Sequence, residues 1–419
     1  MVARAAVPVR VVVLGAGVVG VTAAWFLRES GHDVLVLERQ AAAGMETSFA
    51  NGGQISVSHA EPWANPGAIR KIFKWLGRDD APLLFRLRAD PQQWLWGLKF
   101  LLECLPGRSR RNIVQLVRLG LYSRTTLQAL RRQTGLQYDQ LERGILHLYA
   151  ARRDFEAAAR TAELMRDLGV DRVPKTVDEC IAIEPALRTA RSGIAGGTYA
   201  ASDESGDAHV FTQQLAALCA QHGVRFEYGS TVERIVAEGD RVAGVQVAGK
   251  LVRGDAYVVA LGSYSPLLLR PIGVRLPIYP AKGYSVTLPV KDPVAAWTVS
   301  LSDEAHKLVF SHLGGRLRIA GTAELTGYDT SINEVRCRAI LQRTMELFPQ
   351  AGDASRAEFW AGLRPATPGN IPCIGRTGYA NLFLDTGHGT LGWTHACGSG
   401  RAIADIVSGR KPQVDFAFS

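Results

Sequence analysis

The chain has no Cys-X-X-Cys pair, and its six cysteines are scattered along 419 residues without metal-ligand spacing. That pattern excludes a zinc module and a disulfide scaffold, and it fits a reducing compartment. There is no repeat, no low-complexity tract and no apolar window long enough to cross a bilayer. No Ser-His-Asp set, no paired catalytic carboxylates and no metal constellation can be picked out, so the metal expectation is none. No nucleic-acid-reading element accompanies the net charge of +9, which leaves a basic nucleic-acid binder without support and no nucleic-acid partner expected.

What is present is an ordinary globular composition, 47% hydrophobic and 21% charged, with 43 glycines that suit many tight turns. The length exceeds one simple core, so two domains are expected. Residues 11–27 superficially resemble a signal-peptide core, but the glycine pattern inside them is better read as a strand and helix.

The most informative segment is the apolar run Val11-Val-Val-Leu14 entering Gly15-Ala-Gly17-Val18-Val19-Gly20, with Glu38 closing a second apolar run. This order of strand, glycine turn, helix, strand and acid is a dinucleotide signature. Gly15 permits the turn, Gly17 lets backbone approach a pyrophosphate, and Gly20 lets helix and strand pack closely. The pyrophosphate sits on the helix N-terminus, and Glu38 accepts from ribose hydroxyls, which argues against a 2′-phosphate. The alternative is a glycine-rich turn in an unrelated α/β protein.

Further along, 44–60 reads as a second, glycine-rich ligand loop. Residues 62–134 read as mainly helical, 144–150 as a strand, and 152–168, 176–183 and 209–222 as helices. Strands are expected at 232–237, 241–247, 250–253 and 256–262, short strands from 275 to 330, and a helix at 333–347. A strand at 381–385 then feeds a final helix at about 393–408. The expected fold is α/β: a discontinuous Rossmann-like nucleotide domain (1–61, 201–270, 356–419) with an interleaved α+β substrate domain (62–200, 271–355). Between residues 69 and 111 lie ten basic residues against four acids, together with tryptophans. Two readings stay open for this stretch: contact with an anionic membrane surface, or a helical subdomain whose tryptophans are core.

Six ordered segments carry a family resemblance: Glu46-Thr-Ser-Phe-Ala-Asn-Gly-Gly-Gln-Ile-Ser56, Asp203-Glu-Ser-Gly-Asp207, Ala260-Leu-Gly-Ser-Tyr-Ser265, Pro280-Ala-Lys-Gly-Tyr-Ser285, Gly362-Leu-Arg-Pro-Ala-Thr-Pro368 and Asp385-Thr-Gly-His-Gly-Thr-Leu-Gly-Trp393. Over nearly its whole length the chain resembles the small subunit of FAD-dependent D-amino acid dehydrogenases, within the D-amino acid oxidase and glycine oxidase group. The resemblance implies bound FAD and oxidative deamination of a D-amino acid to a 2-oxo acid and ammonia. It further implies hydride transfer from the α carbon to the flavin, with electrons passed to a quinone-type respiratory acceptor. The expected location is cytoplasmic, with peripheral contact at the inner face of the cell membrane as an extension of that reading.

The resemblance assigns Gly15, Gly17, Val18, Val19, Gly20 and Glu38 to the ADP half of FAD. Arg39 lies over adenine or pairs with a surface acid. Thr47, Ser48, Asn51, Gly53, Gln54 and Ile55 thread past the pyrophosphate and flavin edge, Val232 meets adenine, and Ala260 and Gly262 form a close turn. Gly387, His388, Gly389, Thr390, Leu391 and Gly392 open the last helix towards the flavin pyrimidine, where a positive helix end stabilises the reduced ring. Arg364 is the main catalytic candidate, a guanidinium that can grip a substrate carboxylate with two parallel bonds. Its alternative is a surface arginine before a proline. Tyr284 and Tyr264 are weaker candidates for a second hydrogen bond or a pocket wall, and each is equally readable as core. His59 and His312 are lining candidates that read more simply as structural. Departures at Asn370-Ile-Pro-Cys-Ile374 and in 291–312 leave the substrate open. A D-proline-type imino acid such as hydroxy-D-proline, an oxidase and a non-catalytic electron-relay subunit remain alternatives.

Overall fold

A computed structural model describes residues 8–68, 83–86 and 88–418. Much of the basic stretch singled out above (Arg70, Lys71, Lys74, Arg78, Asp79 and Asp80) lies outside the described residues.

Two sheets organise the fold. The smaller runs in the order Cys373–Arg376, Leu382–Thr386, Ala256–Val259, Arg10–Leu14, Asp33–Leu37, Arg225–Glu227. It is parallel except for its first pair. Its inner strands are buried on both faces, so they read as unbroken Val and Leu runs, not as alternation. The helix Val18–Glu29 packs on the terminal helix Gly392–Val407 on one face. The small antiparallel sheet of Val232–Glu238, Arg241–Val247 and Lys250–Val252 shares a core with the other face. The first strand lies between Asp33–Leu37 and Ala256–Val259, so the chain reverses direction of travel there; such a switch point is where open α/β sheets bind ligands.

The larger sheet is mixed, in the order Glu358–Ala366, Tyr279–Pro289, Arg316–Leu325, Leu308–Leu313, Ser300–Asp303, Ile145–Tyr149, Gly196–Ala200, Arg172–Lys175. Leu83–Phe85 pairs with Arg316–Leu325, inside a stretch expected to be helical. The helix Glu334–Leu347 covers one face, with Cys337, Ile340 and Leu347 in a shared core with Val286, Leu288, Leu317 and Ile319. Most helices fall within a residue or two of expectation. The strands of 279–325 are longer than expected, and the strand Glu358–Ala366 was not foreseen. That strand hydrogen-bonds into the larger sheet, so we propose that the nucleotide segment expected from 356 begins after Ala366.

Backbone packs against backbone at the glycine turn. Gly15 holds φ +103°, and a Cβ there would meet the Ala260 carbonyl oxygen at 2.8 Å. A Cβ on Gly20 would stand 2.0 Å from the Gly15 carbonyl oxygen. Neither neighbour is a flexible side-chain end, so the backbone itself would have to move. Gly20→Ala is expected to cost at least ~2 kcal/mol and to lower the denaturant midpoint. Gly97→Ala, in a helix with nothing within 4 Å of the added methyl, should be neutral or slightly stabilising. Urea melts of both variants check the contrast.

Candidate active site

A cleft of about 370 Å³ runs between the two sheets. One end is lined by Gly15, Gly17, Val18, Val19, Glu38, Arg39 and Val232, and its other walls include Gly283, Ala320, Trp360, Gly362, Arg364 and His388.

At the nucleotide end, Gly17 caps the first helix without a side-chain cap bond, and the Val18 N–H donates to Ser48 Oγ at 3.1 Å. Glu38 is buried and accepts from the Ala16 N–H at 2.7 Å and the Gln40 N–H at 2.8 Å. Burial raises its pKa, and the two N–H groups oppose that rise. The carboxylate is thus pinned before any ribose arrives, with lone pairs to spare. Arg39 lines this end and pairs with an acid there: its Nε donates to Glu46 Oε1 at 2.5 Å, and its guanidinium lies 3.8 Å from the Tyr264 ring centroid. Tyr264 therefore stands beside Arg39 on the cleft wall.

The opposite end depends on strand alternation. A Cβ on Gly283 would fall 2.4 Å from the Arg364 guanidinium carbon, so Arg364 lies flat over a position that only glycine leaves open. Gly283 pairs with Gly362, where a Cβ would strike the Trp360 ring. Arg364 Nη1 donates to the Thr322 carbonyl at 2.7 Å and Nη2 to the Gly321 carbonyl at 3.3 Å. Thr322 adopts φ +51°, a left-handed conformation rare for threonine, on the bulged stretch that supplies these acceptors. Among the described residues no carboxylate pairs with Arg364. Burial lowers its pKa to about 10, with Arg336 pushing the same way, so it stays charged at neutral pH. Thr47 Oγ1 and Ser263 Oγ both donate to the Leu363 carbonyl, at 2.8 and 3.1 Å, tying the ligand loop and the 260–265 turn to the arginine's strand.

Tyr284 follows Gly283, so its side chain points to the sheet's other face. There it joins the core of the helix Glu334–Leu347, donates to Glu324 Oε2 at 2.5 Å, and lies near Arg336 and Lys282. The structure does not bring its hydroxyl to the face that Arg364 occupies. Tyr284 still lines the cleft, as the pocket-wall reading expects, but its hydroxyl is already committed to Glu324.

Thr47, Ser48, Asn51, Ala260, Gly262, Gly387, Gly389, Thr390 and Gly392 line the cleft. Gly20, Gly53, Gln54, Ile55 and Leu391 do not. The Gln54 amide donates to Ser300 Oγ and the Leu301 carbonyl, Ile55 and Leu391 are core, Gly53 packs on Ser311, and Gly20 acts through the turn. Trp360, Asp385, Ser230 and Thr231 line the cleft and were missed. Trp360 had a signal, since it sits four residues before Arg364 and so on the same strand face.

His59 and His312 stay outside the cleft. His312 Nδ1 contacts the Trp297 carbonyl at 2.9 Å. His59 joins His147 and Glu304 in a group able to offer three metal ligands. Lys307, 2.6 Å from Glu304, and Arg172, 2.7 Å from Glu61, already balance the carboxylate charge there.

A family model described as FAD dependent oxidoreductase matches residues 10–406. The chain belongs to that family. Its relatives include a D-amino acid dehydrogenase of Dechloromonas aromatica, 59% identical over 98% of this chain and 99% of the relative. Another, from Paramagnetospirillum magneticum, is 56% identical over 96% and 95%. Among solved structures, glycine oxidase from Geobacillus kaustophilus aligns over 97% of each chain with TM-score 0.77 and 22% identity. L-proline dehydrogenase from P. horikoshii aligns over 97% of this chain and 95% of that one, with TM-score 0.76 and 18% identity. These likenesses establish the fold, and FAD is the family's cofactor.

The residues fit that cofactor. The glycine turn leaves a bare helix N-terminus for an anion, and Glu38 offers a pinned carboxylate for ribose hydroxyls. Buried, unpartnered polar atoms of Asp385 and His388 stand in the same cleft. Gly283→Ala should displace the Arg364 guanidinium while leaving the nucleotide end intact. The expected outcome is retained FAD absorbance with apparent KM for an amino acid substrate raised about tenfold or more, roughly the 1.4 kcal/mol of one weakened charged hydrogen bond.

Proposed function

We propose that this flavoenzyme is a D-amino acid dehydrogenase that anchors its substrate carboxylate on Arg364. The single observation that carries the reading is a half-buried guanidinium on the cleft wall, held by two carbonyls and with no acid partner among the described residues. Two carbonyls hold the guanidinium without neutralising its charge, so its remaining donors face the cleft unpaired. An incoming carboxylate takes them up with charge-assisted, parallel bonds. The preference for D-amino acids follows the names of relatives that match along nearly their whole length.

Bound FAD supplies the two-electron acceptor. The chain's own task is placement: Arg364 fixes the carboxylate, Gly283 and Gly362 let it lie close to the sheet, and Trp360 walls the same face. The oxidised amine leaves the site as an imine, which water converts to a 2-oxo acid and ammonia. Arg364→Ala is expected to raise KM by about a hundredfold or more while FAD stays bound, about 2.7 kcal/mol. Anaerobic mixing with a panel of D-amino and D-imino acids should bleach the flavin absorbance. Bleaching by imino acids alone moves the substrate to the hydroxy-D-proline type, and none at all favours a relay subunit.

We further propose that electrons pass to a quinone-type acceptor at a membrane that the protein touches peripherally. The supporting feature is the helix Pro91–Glu103. Its inner side buries Gln93, Trp96 and Phe100, and its outer side exposes Trp94, Leu95, Leu98, Leu101 and Leu102, with Leu98 62% exposed. The two tryptophans thus divide between the open readings. Arg88, Lys99, Arg108, Arg110 and Arg111, close to this face in sequence, are exposed, a match to anionic headgroups. Leu98→Asp with Leu102→Asp should abolish sedimentation with phosphatidylglycerol vesicles and leave flavin bleaching unchanged. Equal binding of both proteins, or none by the parent chain, would sink the idea.

A further inference from the structure

Beside the proposed substrate anchor lies a pair of polar groups with no assigned work. Asp385, at the end of the strand Leu382–Thr386, is fully buried; its carboxyl oxygens have no well-formed hydrogen bond, and only the Ser399 hydroxyl stands close enough to favour its charge. His388 Nε2 is sealed and unpartnered, 3.5 Å from Asp385 Oδ1. The other polar groups nearby are His395, whose ring is held towards the Leu116 backbone, and the Ser399 hydroxyl, which is shared between the Ala396 carbonyl and Asp385. No lysine or arginine pairs with Asp385 among the described residues.

Ionising a carboxyl here would cost several kcal/mol with no cation to offset it, and burial moves Asp385 well above its ordinary value. Burial moves His388 the other way, to about 3, so the imidazole is neutral. A neutral carboxyl has one O–H to give, and the nearest ring acceptor is His388 Nε2. A neutral imidazole has one N–H, so if Nε2 accepts, the proton sits on Nδ1. His388 lines the cleft, and its backbone bridges to Ala366, two residues from Arg364. The pair therefore stands at the end of the cleft where oxidation is proposed.

We propose that Asp385 is a positioning residue that donates a hydrogen bond to Nε2 of His388 and so holds Nδ1–H towards bound FAD. This deepens the reading above and rests on FAD occupying the cleft. A donor held there favours the cofactor after it has gained electrons, because negative charge has then grown beside it. An ionised Asp385 would do the reverse, taking the proton at Nε2 and leaving Nδ1 as an acceptor.

The test uses the holoenzyme and two variants, Asp385→Asn and Asp385→Val. Infrared spectra should show the C=O stretch of a protonated carboxyl in the parent enzyme and its loss in Asp385→Asn. The asparagine amide can still donate to Nε2, so that variant should keep the parental midpoint potential. The valine variant, of similar shape and without a donor, should shift the reduced-to-oxidised equilibrium about tenfold towards oxidised, ~30 mV for a two-electron couple. If the valine variant does not fold, the infrared comparison decides. No carboxyl band lost in Asp385→Asn, or a valine variant with parental potential, overturns the proposal. Absence of flavin absorbance in the parent enzyme would instead overturn the cofactor reading beneath it.

Discussion

A half-buried positive charge held only by peptide carbonyls sets the terms for the larger sheet. Arg364 needs room on one face, so Gly283 and Gly362 stand opposite each other where side chains would otherwise fill the space. It needs acceptors that do not neutralise it, so the bulged strand at Gly321 and Thr322 presents carbonyls. Glycine within a strand weakens that strand. The cost is met by length: Tyr279–Pro289 runs for 11 residues and is paired on both sides along most of them. Long, doubly paired strands tolerate a missing side chain better than an edge strand would.

The nucleotide end rests on the same device in a different form. At Gly15 and Gly20 the missing Cβ atoms let a helix start almost in contact with the next strand's carbonyls. One oxygen couples the two ends at the arginine's own strand. The Leu363 carbonyl, one residue before the arginine, accepts from Thr47 of the ligand loop and from Ser263 after the Ala256–Val259 strand. The residue that holds substrate is thereby indexed to the loop and turn that flank the cofactor.

That difference explains what was legible in the sequence. The nucleotide end is local: strand, turn, helix, strand and acid occupy some thirty consecutive residues, and each glycine's work is set by its neighbours. The substrate end is assembled from strands about eighty residues apart, and its register is invisible in one chain. Tyr284 shows the consequence. Its motif drew attention to it and it does line the cleft, yet period-two alternation sends its hydroxyl away from the face that Gly283 opens, which only the pairing reveals. Gln54 and Ile55 failed similarly: a two-residue strand pairs with Glu204 and Ser205 and turns their side chains into protein. Trp360 was within reach, since even spacing from Arg364 on one strand puts both on one face.

The charges beneath the sheet complete the electrostatic argument. Glu324 is buried one layer from the site and would compete for a nearby cation if left alone. Instead it accepts from Arg86 at 2.6 Å and Tyr284 at 2.5 Å, with Lys282 at 3.8 Å, and these partners hold its pKa below the ordinary value. Its charge is spent on its own face. Arg336, beneath the same sheet, adds a positive field that already depresses Arg364. The charges are thus sorted across the sheet: Glu324 is neutralised below it, while Arg364 above it meets only carbonyls. A substrate carboxylate meets a potential prepared before binding, so the cost of desolvating the arginine falls on folding and not on association.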